Sequence, residues 1–155
     1  MLTDENSWVQ ASAIFALAEM GATQYARDLA AVLKGDAVFW IKRDAVNALA
    51  SLGAREYARD IAPLLRADDD ELRNAAILAL AALRSSEHAR DIAALLTHQE
   101  HGVRSRALRA LADLGAVAYV AHIARLLTDA IGYVRDYAAQ ALATLGAGQY
   151  APAIG

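Results

Sequence analysis

The chain repeats itself every 31 or 32 residues, and this periodicity restricts the fold more than any other feature. A branched apolar residue opens each unit, and the spacings between successive members are 32, 31, 31 and 31 residues. A leucine follows eight positions after each of them, so several columns stay in register. Such regular recurrence predicts a protein made of stacked structural repeats. The opening residues are Val9, Ile41, Leu72, Val103 and Val134.

Each unit reads as two helices joined by a tight turn. In the second unit Ile41, Ala45 and Leu49 recur at helical spacing and therefore form one apolar stripe. Gly53 supplies the left-handed residue that commonly ends a helix, and residues 57–65 carry a second stripe. One helical pair cannot bury both of its apolar sides, but stacked pairs can. The sequence therefore predicts an all-α solenoid.

Composition supports a helical protein and excludes several functional classes. Alanine supplies much of the 57% hydrophobic content, and aromatics are only 6%. The chain has no cysteine, which excludes disulfides and thiolate metal sites and is compatible with the cytoplasmic location that we expect. The sequence shows no signal-peptide pattern and no apolar run of the ~20 residues that would span a bilayer. A net charge of −3 argues against a general nucleic-acid binder.

The repeat signature comprises an apolar–Arg pair, an Ala–Leu block, a Leu–Gly pair, and a second helix that ends in paired leucines, as in residues 59–65. From about Ser7 to Ile154 the chain resembles HEAT repeats, specifically the short HEAT-like type of the phycobilin lyases. The resemblance implies a right-handed superhelix of about five helix-turn-helix repeats in a single domain over 1–155. The approximate units are 7–36, 37–68, 69–99, 100–130 and an incomplete 131–155.

Two positions depart from the repeat pattern. In the third unit Arg84 stands where the other units have the glycine that ends the first helix. We therefore expect another cap or a looser turn there. One extra residue in 35–40 is expected to place Phe39 and Trp40 in a loop.

Neither end of the array carries an obvious polar cap. We therefore expect either a fragment of a longer solenoid, or dimerisation or end-to-end association through exposed apolar residues. The residues expected to be exposed are Val9, Ala13, Phe15, Tyr137, Leu142 and Ile154.

The resemblance implies that the second helices line a concave surface that holds a ligand. We predict a partner-binding surface there and include two neighbouring aromatics. Alternating charge is also typical of a solvated face, and aromatics at a helix entrance also act as hydrophobic staples. The predicted residues are Arg27, Arg59, Asp60, Arg90, His122, Arg125, Phe39 and Trp40.

Two other columns are interpreted as structural. The cations Lys42, Arg73, Arg104 and Arg135 could form a basic stripe, but we favour pairing with loop carboxylates such as Asp36, Asp68 or Asp129. The rings of Tyr25, Tyr57, His88, Tyr119 and Tyr150 could form a stacking track, but we favour packing at the edge of the core.

The favoured function is a non-enzymatic scaffold that binds another protein. The alternatives are an accessory subunit or fragment of a phycobilin-lyase-like chromophore-attachment protein and, more remotely, a nucleic-acid-binding HEAT-like protein. No catalytic motif is visible in the sequence, and we expect no cofactor. His98, Glu100 and His101 offer too few ligands for a closed metal site, so we expect no metal.

Overall fold

The computed structural model describes Leu2 and residues 6–147, and every regular element in that part of the chain is helical. Five long helices of the described chain have 13 residues each, and each contains the branched residue that opens one of the predicted repeats. The spacing of the apolar columns therefore predicted both their number and their register. They are α1 (Ser7–Glu19), α3 (Phe39–Ser51), α5 (Asp70–Ala82), α7 (His101–Asp113) and α9 (Gly132–Thr144).

Shorter second helices alternate with the long ones. A 3₁₀ turn precedes each of them, and in the second, third and fourth repeats another 3₁₀ segment follows. The alternation of long and short helices confirms the predicted all-α solenoid class. The second helices are α2 (Ala26–Lys34), α4 (Ala58–Ile61), α6 (Ala89–Ala94) and α8 (Val120–Ala124).

The core consists of the apolar stripes that the sequence pattern predicts. In the second repeat Ile41, Ala45, Leu49 and Ile61 are fully buried. Helix α3 packs against α1 and α2 of the preceding repeat and against α5 of the following one. Each fully buried Leu or Ile side chain contributes roughly 1.5–3 kcal/mol. Stability therefore comes mainly from contacts between neighbouring repeats.

Backbone contacts divide the chain into two compact units, Met1–Ser85 and Ser86–Gly155. In the first, α1, α2, α3 and α5 pack as described above. In the second, α7 packs against α6 and α9, and α8 packs against α9. The five-repeat boundaries and the single domain stay predictions.

The turn after each long helix has the same geometry throughout the described chain. Gly53 has φ +65°, its N–H bonds the Ala50 carbonyl at 3.1 Å, and the Ala54 N–H bonds the Leu49 carbonyl at 3.0 Å. This is the paired-bond pattern that closes many helices.

The turn at Arg84 corrects a prediction. Arg84 takes φ +55°, its N–H bonds the Ala81 carbonyl at 3.0 Å, and the Ser85 N–H bonds the Leu80 carbonyl at 3.0 Å. The third repeat thus keeps the common turn, and an arginine adopts the left-handed conformation. These hydrogen bonds and the complete burial of Ser85 hold the backbone there.

Other predictions of position also change. Phe39 and Trp40 begin α3 and do not lie in a loop, because the extra residue lengthens the link at 35–38. Phe15 is exposed as expected. Ala13 and Leu142 are buried, because α3 packs on α1, and α7 and α8 pack on α9. Val9 and Tyr137 are half-buried, and Ile154 lies outside the described residues.

Candidate partner-binding surface

Three arginines occupy the same position in successive second helices. Arg27, Arg59 and Arg90 are the second residues of α2, α4 and α6. The alanine before each of them and the Leu or Ile two residues after it are buried, so helical periodicity turns the arginine outward. All three are exposed, and none makes a hydrogen bond or ion pair within the described part of the chain. Their guanidinium groups are therefore available to a ligand.

Asp60 stands beside Arg59 but already has a partner. Its Oδ1 lies 2.8 Å from Nζ of Lys34, the last residue of α2 in the preceding repeat. The Asp60 side chain keeps only 24% of its exposure, whereas that of Lys34 keeps 68%. Such partly exposed pairs contribute about 0–1 kcal/mol. Asp60 thus links two repeats, while the neighbouring Arg59 stays unpaired among the described residues.

The fourth repeat contributes His122 and Arg125. His122 lies on α8 in the column of Asp60, and its ring centroid is 5.9 Å from that of Tyr119. Arg125 opens the 3₁₀ segment after α8 and is exposed. We call these exposed cationic positions of the second helices the arginine surface. In the first compact unit it consists of Arg27 and Arg59, and the equivalent exposed positions of the second unit, described separately, are Arg90, His122 and Arg125.

Phe39 and Trp40 lie away from the arginine surface. They begin α3, which is 13 residues or about 20 Å long, and Arg59 follows the turn at the far end of that helix. Phe39 is 49% exposed. Trp40 packs on Trp8 of the preceding repeat with ring centroids 6.0 Å apart, and Trp8 is 78% exposed. The predicted residues therefore form two separate groups, the arginine surface and this aromatic edge.

A second aromatic cluster was missed by the sequence reasoning. His101 begins α7, and its ring meets that of Tyr133 edge-on with centroids 5.4 Å apart. The Tyr133 hydroxyl and His101 Nδ1 are hydrogen-bonded, and Tyr137 packs edge-on against Tyr133 at 6.4 Å. The signal was the spacing of 32 residues, which separates His101 from Tyr133 just as it separates Trp8 from Trp40.

The cationic column of the first helices includes a well-enclosed ion pair. Arg104 contacts both carboxylate oxygens of Asp129, Nε to Oδ2 at 2.8 Å and Nη2 to Oδ1 at 2.9 Å. The side chains are 14% and 10% exposed. The hydrogen bond from Arg104 holds the pKa of Asp129 below its ordinary value, against the opposing effect of burial, and the Ile131 N–H adds to the lowering. This column position therefore serves the packing of the repeat.

Arg104 pairs with Asp129 as predicted, and the other partners of the column differ from those predicted. Arg104 Nη1 also donates to the carbonyls of His98 and Gln99, both at 2.8 Å, and Arg135 donates to the Asp129 carbonyl at 2.7 Å. Arg73 donates to the Ala67 carbonyl and pairs with Asp70, not with the carboxylate of Asp68. Each arginine thus fastens the loop before its own helix through backbone oxygens. Lys42 makes no such contact with the described residues.

Two remaining predicted groups have local roles. His98 Nδ1 accepts a hydrogen bond from the Glu100 N–H at 3.1 Å, which shapes the loop before α7. Among the described residues, no three His, Cys, Asp or Glu side chains stand close enough to hold a metal ion. Tyr57, His88 and Tyr119 are half-buried, Tyr25 is more exposed, and Tyr150 lies outside the described residues.

A groove of about 1020 Å³ runs between α1 and α2 in the first repeat. Leu17 and Met20 of α1 and Val32 of α2 supply apolar walls, and Asp28 lies among the lining residues. Within residues 6–147 no helix is both long and apolar enough to cross a bilayer.

Comparison with known families identifies the class of the protein. The sequence profile of HEAT repeats matches residues 1–81 and 58–143, which together cover most of the chain. The chain therefore belongs to the HEAT repeat family. A search of curated proteins found no similar sequence.

Solved structures agree with this fold. A chain in the complex of CpcE and CpcF of phycocyanin lyase from Nostoc is similar with a TM-score of 0.81 and 21% identity. The match covers 93% of this chain but only 62% of that one. An engineered protein has a TM-score of 0.69 and 24% identity, covering 95% of this chain and 77% of its own. A designed armadillo repeat protein has a TM-score of 0.67 and 19% identity, covering 95% and 80%.

Proposed function

We propose that this chain is a protein-binding repeat domain whose partner docks on the arginine surface. The observation that carries the proposal is that Arg27, Arg59 and Arg90 recur at one helical position, exposed and without a partner in the described chain. A guanidinium group presents five donors in a planar fork that matches a carboxylate, and arginine is enriched at binding hot spots. The partner would therefore present acidic side chains.

The family supports this reading. Repeat solenoids hold their ligands through many modest contacts along an extended surface. The similar Nostoc structure is a complex of two proteins. The match covers only 62% of the Nostoc chain. The activity and the partners of that complex therefore indicate here only a class of ligand, another protein.

The test is a binding measurement with a purified partner, identified first by capture from the source cell. Changing Arg27, Arg59 and Arg90 together to alanine should weaken binding at least tenfold, because three charge-assisted contacts are lost. Circular dichroism should stay unchanged, since the three side chains make no contacts within the described part of the chain.

A control removes two other exposed or half-exposed cations, Lys42 and Arg109, which lie on first helices, and is compared with the double variant Arg27→Ala and Arg59→Ala, which loses the same charge. The control variant should keep the original affinity. Equal loss of affinity in both variants would mean that net charge, and not the arginine surface, controls binding.

The second candidate is an accessory subunit of a chromophore lyase, favoured by the similarity to the phycocyanin lyase complex. Incubation with bilin and an apo-phycobiliprotein, with and without a sister subunit, should then change the visible absorbance. An unchanged spectrum in both mixtures would reject this candidate.

A further inference from the structure

The groove between α1 and α2 exposes residues whose counterparts in the next repeat are covered. Ala16 is exposed and Leu17 half-exposed, whereas Ala48 and Leu49 at the same positions of α3 are buried. Met20, at the rim, is 69% exposed. Leu2 lines this groove and accepts a hydrogen bond from the Gln10 side chain, and no helix among residues 6–147 covers it. Its volume of about 1020 Å³ exceeds most small-molecule pockets.

The second repeat shows what kind of element covers such a face. Helices α1 and α2 of the preceding repeat pack on α3, and α2 also contacts α4. The apolar face of one helical hairpin thus fits the apolar face of the next. By its position in the repeat, the groove of the first repeat corresponds to the face of the second repeat on which α1 and α2 pack.

A charge pair accompanies this contact. Lys34, at the C-terminus of α2, reaches Asp60 near the start of α4 at 2.8 Å. A lysine at that end of a helix is also favoured by the helix dipole. Asp28 occupies the position of Asp60 in the first repeat and lines the groove, and no described cation pairs with it.

The sequence columns show that the acid and the cation occur together. Where the acid is present, as Asp60 and Asp91, the preceding repeat has a cation at the equivalent position, Lys34 at the end of α2 and Arg66 at the end of the 3₁₀ segment after α4. Where the acid is replaced, by His122 and Ala153, the preceding repeat has a threonine instead of a cation. Those threonines are Thr97 and Thr128.

We propose that this groove is the docking site for a helical hairpin of a partner protein, a hairpin of the same repeat type whose second helix ends in lysine or arginine. The cation would pair with Asp28, and the apolar face would cover Leu17 and Met20. The proposal rests on the proposed function in that the ligand is a protein, but its charged contact is Asp28 in the groove and not the neighbouring Arg27 of the arginine surface. A second copy of this chain is the alternative occupant, and the second arm of the test distinguishes it.

The first arm of the test fills the groove in cis. A second copy of residues 7–38 is inserted directly before Ser7 of the full chain, which reproduces the register between the first two repeats. The copy carries Met20→Leu, so that the original Met20 is the reporter. Oxidation of this methionine by hydrogen peroxide, followed by mass spectrometry, should slow about two- to threefold, because its covered counterpart in the second repeat, Leu52, is half-buried. Unchanged oxidation would overturn the proposal.

The charge pair is tested in the same extended chain. Lys34→Thr in the added copy should lower the folding equilibrium constant about two- to fivefold, as expected for a partly exposed pair. When the original Asp28, which faces the added copy, is also changed to asparagine, Lys34→Thr should no longer alter the folding equilibrium constant. If the two changes act independently, recognition through Asp28 is wrong.

The second arm offers the hairpin in trans. A synthetic peptide of residues 6–38 with Met20→Leu is titrated to millimolar concentration against the native chain. It should protect Met20 of the native chain, and in the extended chain it should add no further protection to the original Met20, because the added copy already covers that residue. If Met20 is protected in the extended chain but not by the peptide, the occupant is a covalently linked repeat, and the proposal of a separate partner protein is overturned. Protection of Met20 in the native chain at high concentration, together with a dimer in sedimentation, would identify a second copy as the occupant.

The outcome does not depend on the arginine surface. In the variant with Arg27, Arg59 and Arg90 changed to alanine, the hairpin should slow the oxidation of Met20 as much as it does in the native chain. Failure of the docking proposal and failure of the proposed function are therefore separate results.

Discussion

Arg84 takes a backbone conformation that glycine takes at the equivalent turns of the other described repeats. Its φ is +55°, against +60° to +70° for those glycines. A side chain in this region costs roughly 1–2 kcal/mol, because Cβ approaches the following carbonyl oxygen. The sequence showed the substitution but not its consequence, because the common hydrogen bonds of the turn prevail over the preference of the residue.

Replacing Arg84 with glycine should raise the free energy of unfolding by about 1 kcal/mol. The gain is less than the full strain, because glycine also increases the entropy of the unfolded chain. Urea unfolding at neutral pH measures it. Gly53→Ala is the matched reverse change: its Cβ would meet no atom within 4 Å, yet its φ of +65° should make the variant less stable by a similar amount. A less stable R84G would mean that the arginine side chain contributes more than the strain costs.

At the scale of the element, the long helices could be predicted and the short ones only in outline. Five apolar columns at helical spacing determined where α1, α3, α5, α7 and α9 lie. The 3₁₀ segments around the second helices could not be foreseen, because over four to nine residues an apolar stripe does not separate a period of 3.0 from 3.6. Charges alone predicted a structural role for Arg104. They did not reveal its backbone partners, because carbonyl positions depend on how the loop folds.

The loop between α8 and α9 should make stability depend on acid pH through Asp129. Its pKa is lowered in the folded chain by the hydrogen bond from Arg104, so its contribution is fully present above the unfolded pKa of about 3.9 and is lost as pH falls through the folded pKa. Asp129→Asn should cost about 2 kcal/mol at pH 7, since charge-assisted hydrogen bonds are lost. Urea unfolding at pH 7 and pH 3 should show this cost shrinking at the lower pH.

Asp36→Asn serves as a control, because Asp36 is an exposed loop carboxylate. It should leave the free energy of unfolding unchanged at both pH values. A pH-independent cost for Asp129→Asn would show that its role is steric packing.

At the scale of the whole molecule, the cost of a substitution should depend on where its repeat lies in the array. Leu17 and Leu111 occupy the same column, but Leu111 is fully buried and Leu17 borders the groove. The arginine surface was likewise predicted from equivalent positions of successive repeats. Its identification needed the structure, because the sequence could not show that Asp60 is paired with Lys34 while Arg59 is not.

Leu111→Ala should lower the free energy of unfolding by about 3 kcal/mol, within the range for a buried leucine. Leu17→Ala should cost about 1 kcal/mol, because a half-exposed side chain loses less apolar burial. Urea unfolding compares the two variants directly. Equal costs would contradict the open groove in the first repeat.

The contact between Trp8 and Trp40 determines what optical methods can see. The chain has two tryptophans, and both lie in the unit Met1–Ser85. The centroids of their indole rings are 6.0 Å apart, which is close enough for exciton coupling. The pair should therefore give a circular dichroism couplet in addition to tryptophan fluorescence. Tryptophan fluorescence therefore reports on the first unit alone, whereas the far-ultraviolet helix signal reports on both. Recording the two in one titration would reveal whether the units melt together, without any label or mutation.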